Sequence, residues 1–288
     1  MKIISGTYKL TRFYEVWGIV SVLSLLGLLL TGAEISPTHA VTLLAANFLA
    51  TTLAFMINDV EDSEDDAMDP KKSKRNPISA GIISKRYGYA ASAVTALGAL
   101  LLFATLRTEA LIVGISLVVL GFLYSWKVTR LKGKTVIDIL SHGYFLAAGI
   151  LLASYLSVAD KVSLPLLVLF AAVYLISIGG DLFNEIRDFE ADRKANLKNT
   201  ASFLGVGNSK LVQLLASSVG YLMVVYVVFE IFDRFNLPAL VAGIILAILL
   251  FLYNYFFTDE DLLDFDNDLL YGPILFIVTL VLGVSIFV

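Results

Sequence analysis

The sequence predicts an all-α integral membrane protein, a polytopic bundle of about nine transmembrane helices. Hydrophobic residues make up 58% of the 288 residues and charged residues only 16%, whereas soluble domains carry about 45–50% apolar and about 25% charged residues. The mean hydropathy is +0.83. The apolar residues are also grouped into runs of roughly the 20 residues that a helix needs to cross a bilayer. These observations exclude soluble and disordered chains, and the absence of cysteine excludes thiol chemistry and disulfide frameworks.

Nine apolar runs define the predicted spans. They cover residues 13–32, 38–59, 87–106, 109–126, 137–157, 163–184, 211–232, 236–257 and 269–288. The first run is interpreted as a membrane anchor and not as a cleaved signal peptide, because eight further runs follow it. We predict one transmembrane domain over residues 1–288, with repeat halves of about 10–135 and 136–258 and a ninth helix at 269–288.

Lys and Arg residues are distributed unequally between the two ends of these spans. Eighteen of the 21 fall in the N-terminal segment and in every second loop after it, and three fall on the other side. Cytoplasmic loops carry the excess of Lys and Arg. The sequence therefore predicts a cell-membrane protein whose N-terminus and basic loops are cytoplasmic.

An acidic pattern occurs twice, each time at the predicted cytoplasmic end of a span. Asn58-Asp59-x-x-Asp62-x-x-x-Asp66 follows the second span, and Asn184-Glu185-x-x-Asp188-x-x-x-Asp192 follows the sixth. The two copies are 126 residues apart, which equals four helices, so the chain is predicted to contain two four-helix repeats. Weak internal symmetry of this kind is common in membrane proteins.

The spacing gives these residues a shared chemistry. Positions i, i+4 and i+8 lie on one face of a helix, so each motif is predicted to form a stripe of oxygen ligands. Like charges at this spacing repel unless a cation lies between them. Carboxylate and amide oxygens suit Mg²⁺, which takes one or two carboxylates together with water and phosphate oxygens.

Basic residues lie close to the motifs in the sequence. Lys127 and Arg130 follow the fourth span, one turn after Tyr124. A diphosphate retains charge that metal alone does not neutralise, and Lys and Arg side chains can match it. We predict Lys127 and Arg130 as phosphate ligands, whereas most other basic residues are read as membrane anchors.

Other readings of these residues stay open. The acidic clusters could be solvated loops, as we read the acidic segment 259–268, or structural Ca²⁺ sites, although the EF-hand register is missing. A divalent-cation transporter would place paired carboxylates near the bilayer midplane. A membrane phosphotransferase would need a D-G-x-x-A-R-type sequence, which does not occur here.

These residues resemble the UbiA superfamily of intramembrane prenyltransferases. The resemblance rests on the first acidic motif, on Arg75-x-Pro77-Ile78-x-x-Gly81, on Tyr124 and Lys127, and on the run from Asp181 to Lys198-x-Thr200. It covers the chain from Arg12 to the ninth span. One departure is Asp69-Pro70-Lys71, where the family has Asn-Arg-Pro.

The resemblance implies a nine-helix bundle whose central cavity has a polar cytoplasmic cap, and it implies an active site. Two Mg²⁺ ions would be held on the diphosphate, with Asp62, Asp66, Asp188 and Asp192 as the catalytic carboxylates. The further metal ligands implied are Asn58, Asp59, Asn184 and Asp181. The diphosphate ligands implied are Lys127, Arg130, Tyr124, Arg75, Lys198 and Arg12.

The reaction implied is Mg²⁺-dependent transfer of a prenyl group from an isoprenyl diphosphate, of geranylgeranyl length or shorter, with release of diphosphate. The acceptor would be lipophilic, and a quinone precursor, a glycerol-based lipid and a carotenoid all stay open. His142 is a candidate general base. The lipid bilayer is an expected partner and nucleic acid is not.

Overall fold

A computed structural model describes residues 2–194 and 197–231, and these residues form α-helices joined by short loops. The described helices are α1 (Lys2–Leu10), α2 (Phe13–Leu29), α3 (Pro37–Glu61), α4 (Ser63–Asp66), α5 (Lys72–Arg75), α6 (Lys85–Ala104), α7 (Thr108–Ser125), α8 (Ile137–Gly143), α9 (Gly149–Leu156), α10 (Leu164–Arg187), α11 (Phe189–Lys194) and α12 (Thr200–Ile231). A π-helical segment, Tyr144–Ala148, connects α8 to α9.

Within residues 2–194 and 197–231, six helices are long and apolar enough to cross a membrane, with α8, the π-helical segment and α9 counted together as one. The pair α1 and α2, bent by 43°, raises the number to seven if it is a single span. This confirms the predicted all-α membrane fold over the first seven spans. The eighth and ninth predicted spans, 236–257 and 269–288, and the acidic segment 259–268 lie outside the described residues.

Two helix boundaries differ from the prediction. The helix α1 precedes the first apolar run, and α12 begins at Thr200 and not at 211. The early turns of α12 carry the polar residues Asn208, Ser209 and Lys210, which lower the hydropathy that defined the predicted span. Gly205, with φ of 76°, interrupts this helix, in a conformation that glycine adopts without a steric penalty.

Serine residues define where several spans begin. Ser36 accepts a hydrogen bond from the backbone N–H of His39 at the start of α3. Ser163 does the same for Leu166 at the start of α10. Both helices carry proline in the first turn, where its missing N–H costs no helical hydrogen bond. The two spans that lead into the acidic motifs therefore share their N-terminal signals.

The described residues belong to two compact units. One contains residues 2–131 and 149–158, and the other contains residues 132–148 and 159–231. In the first unit α3 packs against α2, α6, α7 and α9, and in the second α10 packs against α8 and α12. The predicted division into repeat halves stays a prediction.

Small residues allow close helix packing inside each unit. A Cβ atom on Gly27 of α2 would lie 2.6 Å from the Cβ atom of Ser154, and one on Gly179 of α10 would lie 2.2 Å from the Oγ of Ser217. Beside Gly27, the buried amide of Asn47 donates hydrogen bonds of 2.9 Å to Ser24 and to Ser154. Small residues and interhelical hydrogen bonds are the usual determinants of helix association in membranes, and here they fix the helices that carry the motifs.

Candidate functional site

The first acidic motif lies where α3 ends. Asp62 follows the last residue of α3 with φ of −87° and ψ of 1°, and α4 begins at the next residue. The N–H of Asp62 donates to the carbonyl of Asn58 at 2.9 Å, and the N–H of Asp66 donates to the carbonyl of Asp62 at 2.7 Å. The three oxygen-bearing side chains therefore lie on successive turns, although the helix is not continuous.

The second motif has the same backbone. Asp188 follows α10 with φ of −90° and ψ of 6°, and α11 begins at the next residue. The N–H groups of Asp188 and Asp192 donate to the carbonyls of Asn184 and Asp188, both at 2.9 Å. The predicted stripe of oxygen ligands stays a prediction, and the structure adds that two helices meet at the middle of each motif. The middle aspartate breaks both helices.

A buried ion pair lies beside the first motif. The Nη2 of Arg12 is 2.5 Å from Oδ1 of Asp59, and the two side chains are 7% and 0% exposed. Arg12 lies between α1 and α2 with φ of 45°. Asp59 and Arg12, predicted as metal ligand and diphosphate ligand, thus contact each other in this structure, and those two roles stay predictions.

Three further basic side chains contact the acidic residues of the first motif. The Nη2 of Arg130 lies 3.7 Å from Oδ1 of Asp62 and 3.4 Å from Oδ2 of Asp65. Lys85 and Lys127 contact the exposed carboxylate of Glu64 at 3.1 and 3.3 Å. The hydrogen bonds of Lys85 and Lys127 to this carboxylate lower the pKa of Glu64, and the contribution of Lys85 is the larger.

Tyr124 and Arg75 are the remaining predicted phosphate ligands of the first unit. Tyr124 is in the last turn of α7, whose C-terminal Ser125 donates a 3.3 Å hydrogen bond to Oδ1 of Asn58. Arg75 is the exposed last residue of α5. The first unit therefore brings Asn58, Asp62 and Arg130 close to one another, and it places Lys127 beside Glu64.

In the second unit, a basic side chain also contacts the motif. Arg187 contacts the neighbouring Asp188, with its Nε 3.1 Å from Oδ1. Lys198 is exposed and forms an isolated β-bridge with Lys134, and its carbonyl accepts a 3.0 Å hydrogen bond from Thr135. Asn184 is exposed on the last turn of α10.

Buried acidic residues adjoin the second motif, and one of them, Glu185, belongs to it. Asp138 is fully buried and accepts hydrogen bonds of 2.5 Å from the backbone N–H and the hydroxyl of Thr200. Glu185 is buried and accepts a 2.8 Å bond from the N–H of Ala201. The Nε2 of His142 lies 3.5 Å from Oδ1 of the buried Asp181, so His142 and Asp181 are brought together.

Sequence reasoning missed several residues that support the motifs. Asp138, which accepts hydrogen bonds from Thr200 at the start of α12, was not predicted; its sequence signal was a lone acid in the first turn of α8, which is also common as a helix-dipole partner. Glu185 belongs to the second acidic motif, but its hydrogen bond from the N–H of Ala201 was not predicted. Asn76 and Asn199 are buried and donate hydrogen bonds to Asp66 and Asp192 at 2.9 and 2.8 Å. Each of these asparagines directly follows a basic residue that we had singled out, Arg75 or Lys198.

The donor set fits Mg²⁺. Within the described residues, no three carboxylate or histidine side chains converge closely enough to hold a metal ion. Mg²⁺ does not require such a cage, because it usually binds one or two carboxylates and completes its octahedron with water and substrate phosphate. Each motif supplies oxygen donors of this kind, Asp62 and Asp66 in one unit and Asp188 and Asp192 in the other.

An apolar cavity adjoins the first motif. It has a volume of about 420 Å³ and lies between α3, α6 and α7, with Ile57, Tyr89 and Phe122 among its lining residues. The hydroxyl of Tyr89 donates a 2.7 Å hydrogen bond to Glu61, the last residue of α3. Such a cavity can hold a hydrocarbon chain close to a polar membrane interface.

Comparison with known proteins gives a consistent result. The sequence profile described as the UbiA prenyltransferase family matches residues 20–266. A lycopene elongase/hydratase from Halobacterium salinarum is 33% identical over 74% of this chain and 76% of its own length. A lycopene elongase/hydratase from Haloarcula japonica is 30% identical over 62% of this chain, and the match spans only 58% of that protein.

Solved structures share the fold at low sequence identity. A UbiA homolog from Archaeoglobus fulgidus, bound to DMAPP and Mg²⁺, has a TM-score of 0.78 and 19% identity, with 98% of this chain and 97% of that chain covered. A UbiA homolog from Aeropyrum pernix has a TM-score of 0.68 and 21% identity, with 93% and 96% covered. The family match confirms the resemblance that the motifs predicted.

Proposed function

We propose that this chain, which belongs to the UbiA prenyltransferase family and is thus an integral membrane prenyltransferase, uses an allylic diphosphate bound with Mg²⁺ as its donor. We propose further that its acceptor is a long acyclic polyene. The observation that carries the first part is the repeated acidic motif, whose two copies share torsion angles at the middle aspartate. The bound DMAPP and Mg²⁺ of the Archaeoglobus fulgidus protein supports it.

The proposed reaction is an alkylation. The allylic C–O bond breaks and its electron pair leaves with the diphosphate, after which the π electrons of the acceptor form a new C–C bond to the allylic cation and the adduct loses a proton. When bound, Mg²⁺ neutralises charge on the leaving group. The apolar interior keeps water away from the cation.

The side chains of this protein have distinct proposed roles. In the first unit Asp62 and Asp66, assisted by Asn58, are the proposed metal ligands. In the second unit they are Asp188 and Asp192, assisted by Asn184. Arg130 and Lys127 bind diphosphate oxygens, and Arg130 is the better placed of the two because it already lies 3.7 Å from Asp62. His142, 3.5 Å from Asp181, is the candidate for taking up the proton.

The polyene acceptor is proposed from the relatives. Three relatives of this chain are lycopene elongase/hydratases, and the Halobacterium salinarum protein is aligned over 74% of this chain and 76% of its own length. An acyclic polyene is as apolar as the lipid interior, so a site within the bilayer avoids transferring it through water. We propose further that the N-terminus and the motif loops face the cytoplasm, in accordance with the bias of Lys and Arg residues.

The test is diphosphate release by the purified full-length protein in detergent. We expect Mg²⁺-dependent release from dimethylallyl or longer allylic diphosphates, accelerated by lycopene more than by a quinone precursor or a glycerol-based lipid. Omitting Mg²⁺ should abolish release. Acceleration by a quinone precursor or a glycerol-based lipid alone would contradict the polyene acceptor, and absence of release with every donor and acceptor would contradict the whole proposal.

A further inference from the structure

One buried asparagine holds the last aspartate of each acidic motif. The Nδ2 of Asn76 donates a 2.9 Å hydrogen bond to Oδ2 of Asp66, ten residues earlier. The Nδ2 of Asn199 donates a 2.8 Å hydrogen bond to Oδ2 of Asp192, seven residues earlier. Asn76 and Asn199 are 0% and 1% exposed, so neither amide hydrogen bonds freely with bulk water.

The side-chain amide of Asn76 makes three further hydrogen bonds. Its Nδ2 donates a 2.7 Å bond to the carbonyl of Asp59, and its Oδ1 accepts bonds from the N–H groups of Ile78 and Ser79 at 2.9 and 3.4 Å. The amide therefore connects the end of α3, the side chain of Asp66 and the turn that follows α5. The backbone fixes the orientation of this amide, and the amide in turn holds one carboxylate oxygen of Asp66.

Asn199 is fixed by a different backbone feature. Its Oδ1 accepts a 2.9 Å hydrogen bond from the N–H of Ser202 at the start of α12, as an N-cap side chain does. The amide nitrogen then points to Asp192. In both units one side of the amide is anchored by a backbone N–H, and the other side holds the carboxylate.

A neutral donor has a specific electrostatic consequence. Arginine or lysine bound to Asp66 or Asp192 would neutralise the carboxylate and compete with a divalent cation for it. An amide N–H fixes one carboxylate oxygen and leaves the negative charge in place. Groups that orient metal ligands in this way raise metal affinity, and their loss typically costs about 10–100-fold in affinity or activity.

We propose that Asn76 and Asn199 are paired positioning residues that orient Asp66 and Asp192 for the divalent cation and thereby set the affinity for the metal–diphosphate complex. This inference rests on the proposed function, because it takes the two aspartates to be metal ligands. In each copy of the internal repeat, an asparagine that follows the acidic motif holds its last aspartate. It lies ten residues after Asp66 in the first copy and seven residues after Asp192 in the second.

The experiment replaces each asparagine by serine in the full-length protein. Serine retains a side-chain oxygen for the turn at Asn76 and for the cap at Asn199, but it removes the amide donor. Asn208→Ser is the matched control, because Asn208 is exposed on α12 and its amide donates to the carbonyl of Leu204.

The readout is binding of Mn²⁺, as a substitute for Mg²⁺, in the presence of inorganic diphosphate, with free Mn²⁺ measured by electron paramagnetic resonance. We expect Asn76→Ser and Asn199→Ser each to raise the Kd for Mn²⁺ at least about 10-fold, and Asn208→Ser to leave it unchanged. In the prenyl-transfer assay, the Mg²⁺ concentration for half-maximal rate should rise more than the rate at saturating Mg²⁺ falls. A merely structural role would lower the unfolding temperature without this shift.

The outcomes separate the inference from the proposed function. An unchanged Kd in Asn199→Ser overturns the inference even if Asn76→Ser fails to fold, because serine keeps the helix cap at 199. If the wild-type protein binds no Mn²⁺ with diphosphate, the proposed function fails and the inference fails with it. If the wild-type protein binds Mn²⁺ and both variants match it, only the inference is wrong.

Discussion

The two acidic motifs share a backbone but differ in the groups that surround them. Around the first motif, cationic side chains contact the carboxylates, with Arg12 on Asp59 and Arg130 on Asp62 and Asp65. Around the second, Asp138 and Glu185 accept hydrogen bonds from the backbone N–H groups of Thr200 and Ala201. The two copies therefore have similar backbone torsion angles at the middle aspartate but different neighbouring groups.

The difference has a consequence for the proposed mechanism. We propose Arg130 and Lys127, beside the first motif, as diphosphate ligands. Beside the second motif Arg187 contacts Asp188, and the backbone N–H groups of Thr200 and Ala201 hold Asp138 and Glu185. We infer that the first motif contributes more to diphosphate binding and that both motifs contribute to holding metal. The predictions below test this division of roles.

The largest expected effect is loss of turnover when either middle aspartate is changed. Asp62→Asn and Asp188→Asn each remove a metal-ligand charge and should lower kcat/KM at least about 100-fold, since even groups one shell further out are worth about 10–100-fold. Diphosphate release at saturating Mg²⁺ measures this effect. Glu190→Gln, an exposed residue between Asp188 and Asp192, is the control and should retain activity. Near-normal turnover in Asp188→Asn would confine the metal site to the first motif.

Much of this arrangement could be predicted from the sequence, because composition and spacing report on properties that are local in the chain. The apolar runs predicted α3, α6, α7 and α10 closely, and the repeated motif indicated the oxygen ligands. The contacts of Asn76 with Asp66 and of Asp138 with Thr200 could not be predicted. They join residues that are 10 and 62 positions apart. The path of the connecting loops depends on packing, and no periodic pattern in the sequence predicts that path.

The break in each helix was also missed for a physical reason. The i, i+4, i+8 spacing is equally compatible with a continuous helix and with two helices joined at one residue, because the hydrogen bonds from Asp62 to Asn58 and from Asp66 to Asp62 persist across the break. Only the torsion angles of Asp62 and Asp188 distinguish the two cases.

The second prediction concerns stability and is specific to the first unit. Arg12→Met leaves the carboxylate of Asp59 buried without its cation and should destabilise the protein by about 3–5 kcal/mol. The double variant Arg12→Met with Asp59→Asn should recover much of the loss. The unfolding temperature in detergent measures both. Arg107→Met is the control, since Arg107 pairs with Glu109 at side-chain exposures of 37% and 48% and such pairs contribute about 0–1 kcal/mol. Equal destabilisation by the two single variants would contradict the role of burial.

The third prediction separates the two candidate phosphate ligands. Arg130→Ala should weaken binding of inorganic diphosphate in the presence of Mg²⁺ by about 10- to 100-fold, since hydrogen bonds to charged groups contribute about 1.5–3 kcal/mol. Lys127→Ala should weaken it less, because Lys127 is held by Glu64 at 3.3 Å. Lys85→Ala is the control, because Lys85 contacts the same carboxylate. An unchanged diphosphate affinity in Lys127→Ala would remove Lys127 from the site.

The smallest expected effect is a pH dependence of stability at Glu64 in the first motif. The hydrogen bonds from Lys85 and Lys127 hold the pKa of Glu64 below its usual value of 4.5. A carboxyl whose pKa is lower in the folded state stabilises that state above its unfolded pKa, and this contribution is lost as the pH falls through the folded value. Wild-type protein and Glu64→Gln should therefore differ slightly in unfolding temperature at neutral pH and converge as the solution is acidified below 4.5. The difference should also shrink in high salt, because the pair is exposed to solvent and screened. A difference that persists at acidic pH would show that Glu64 acts through packing and not through its charge.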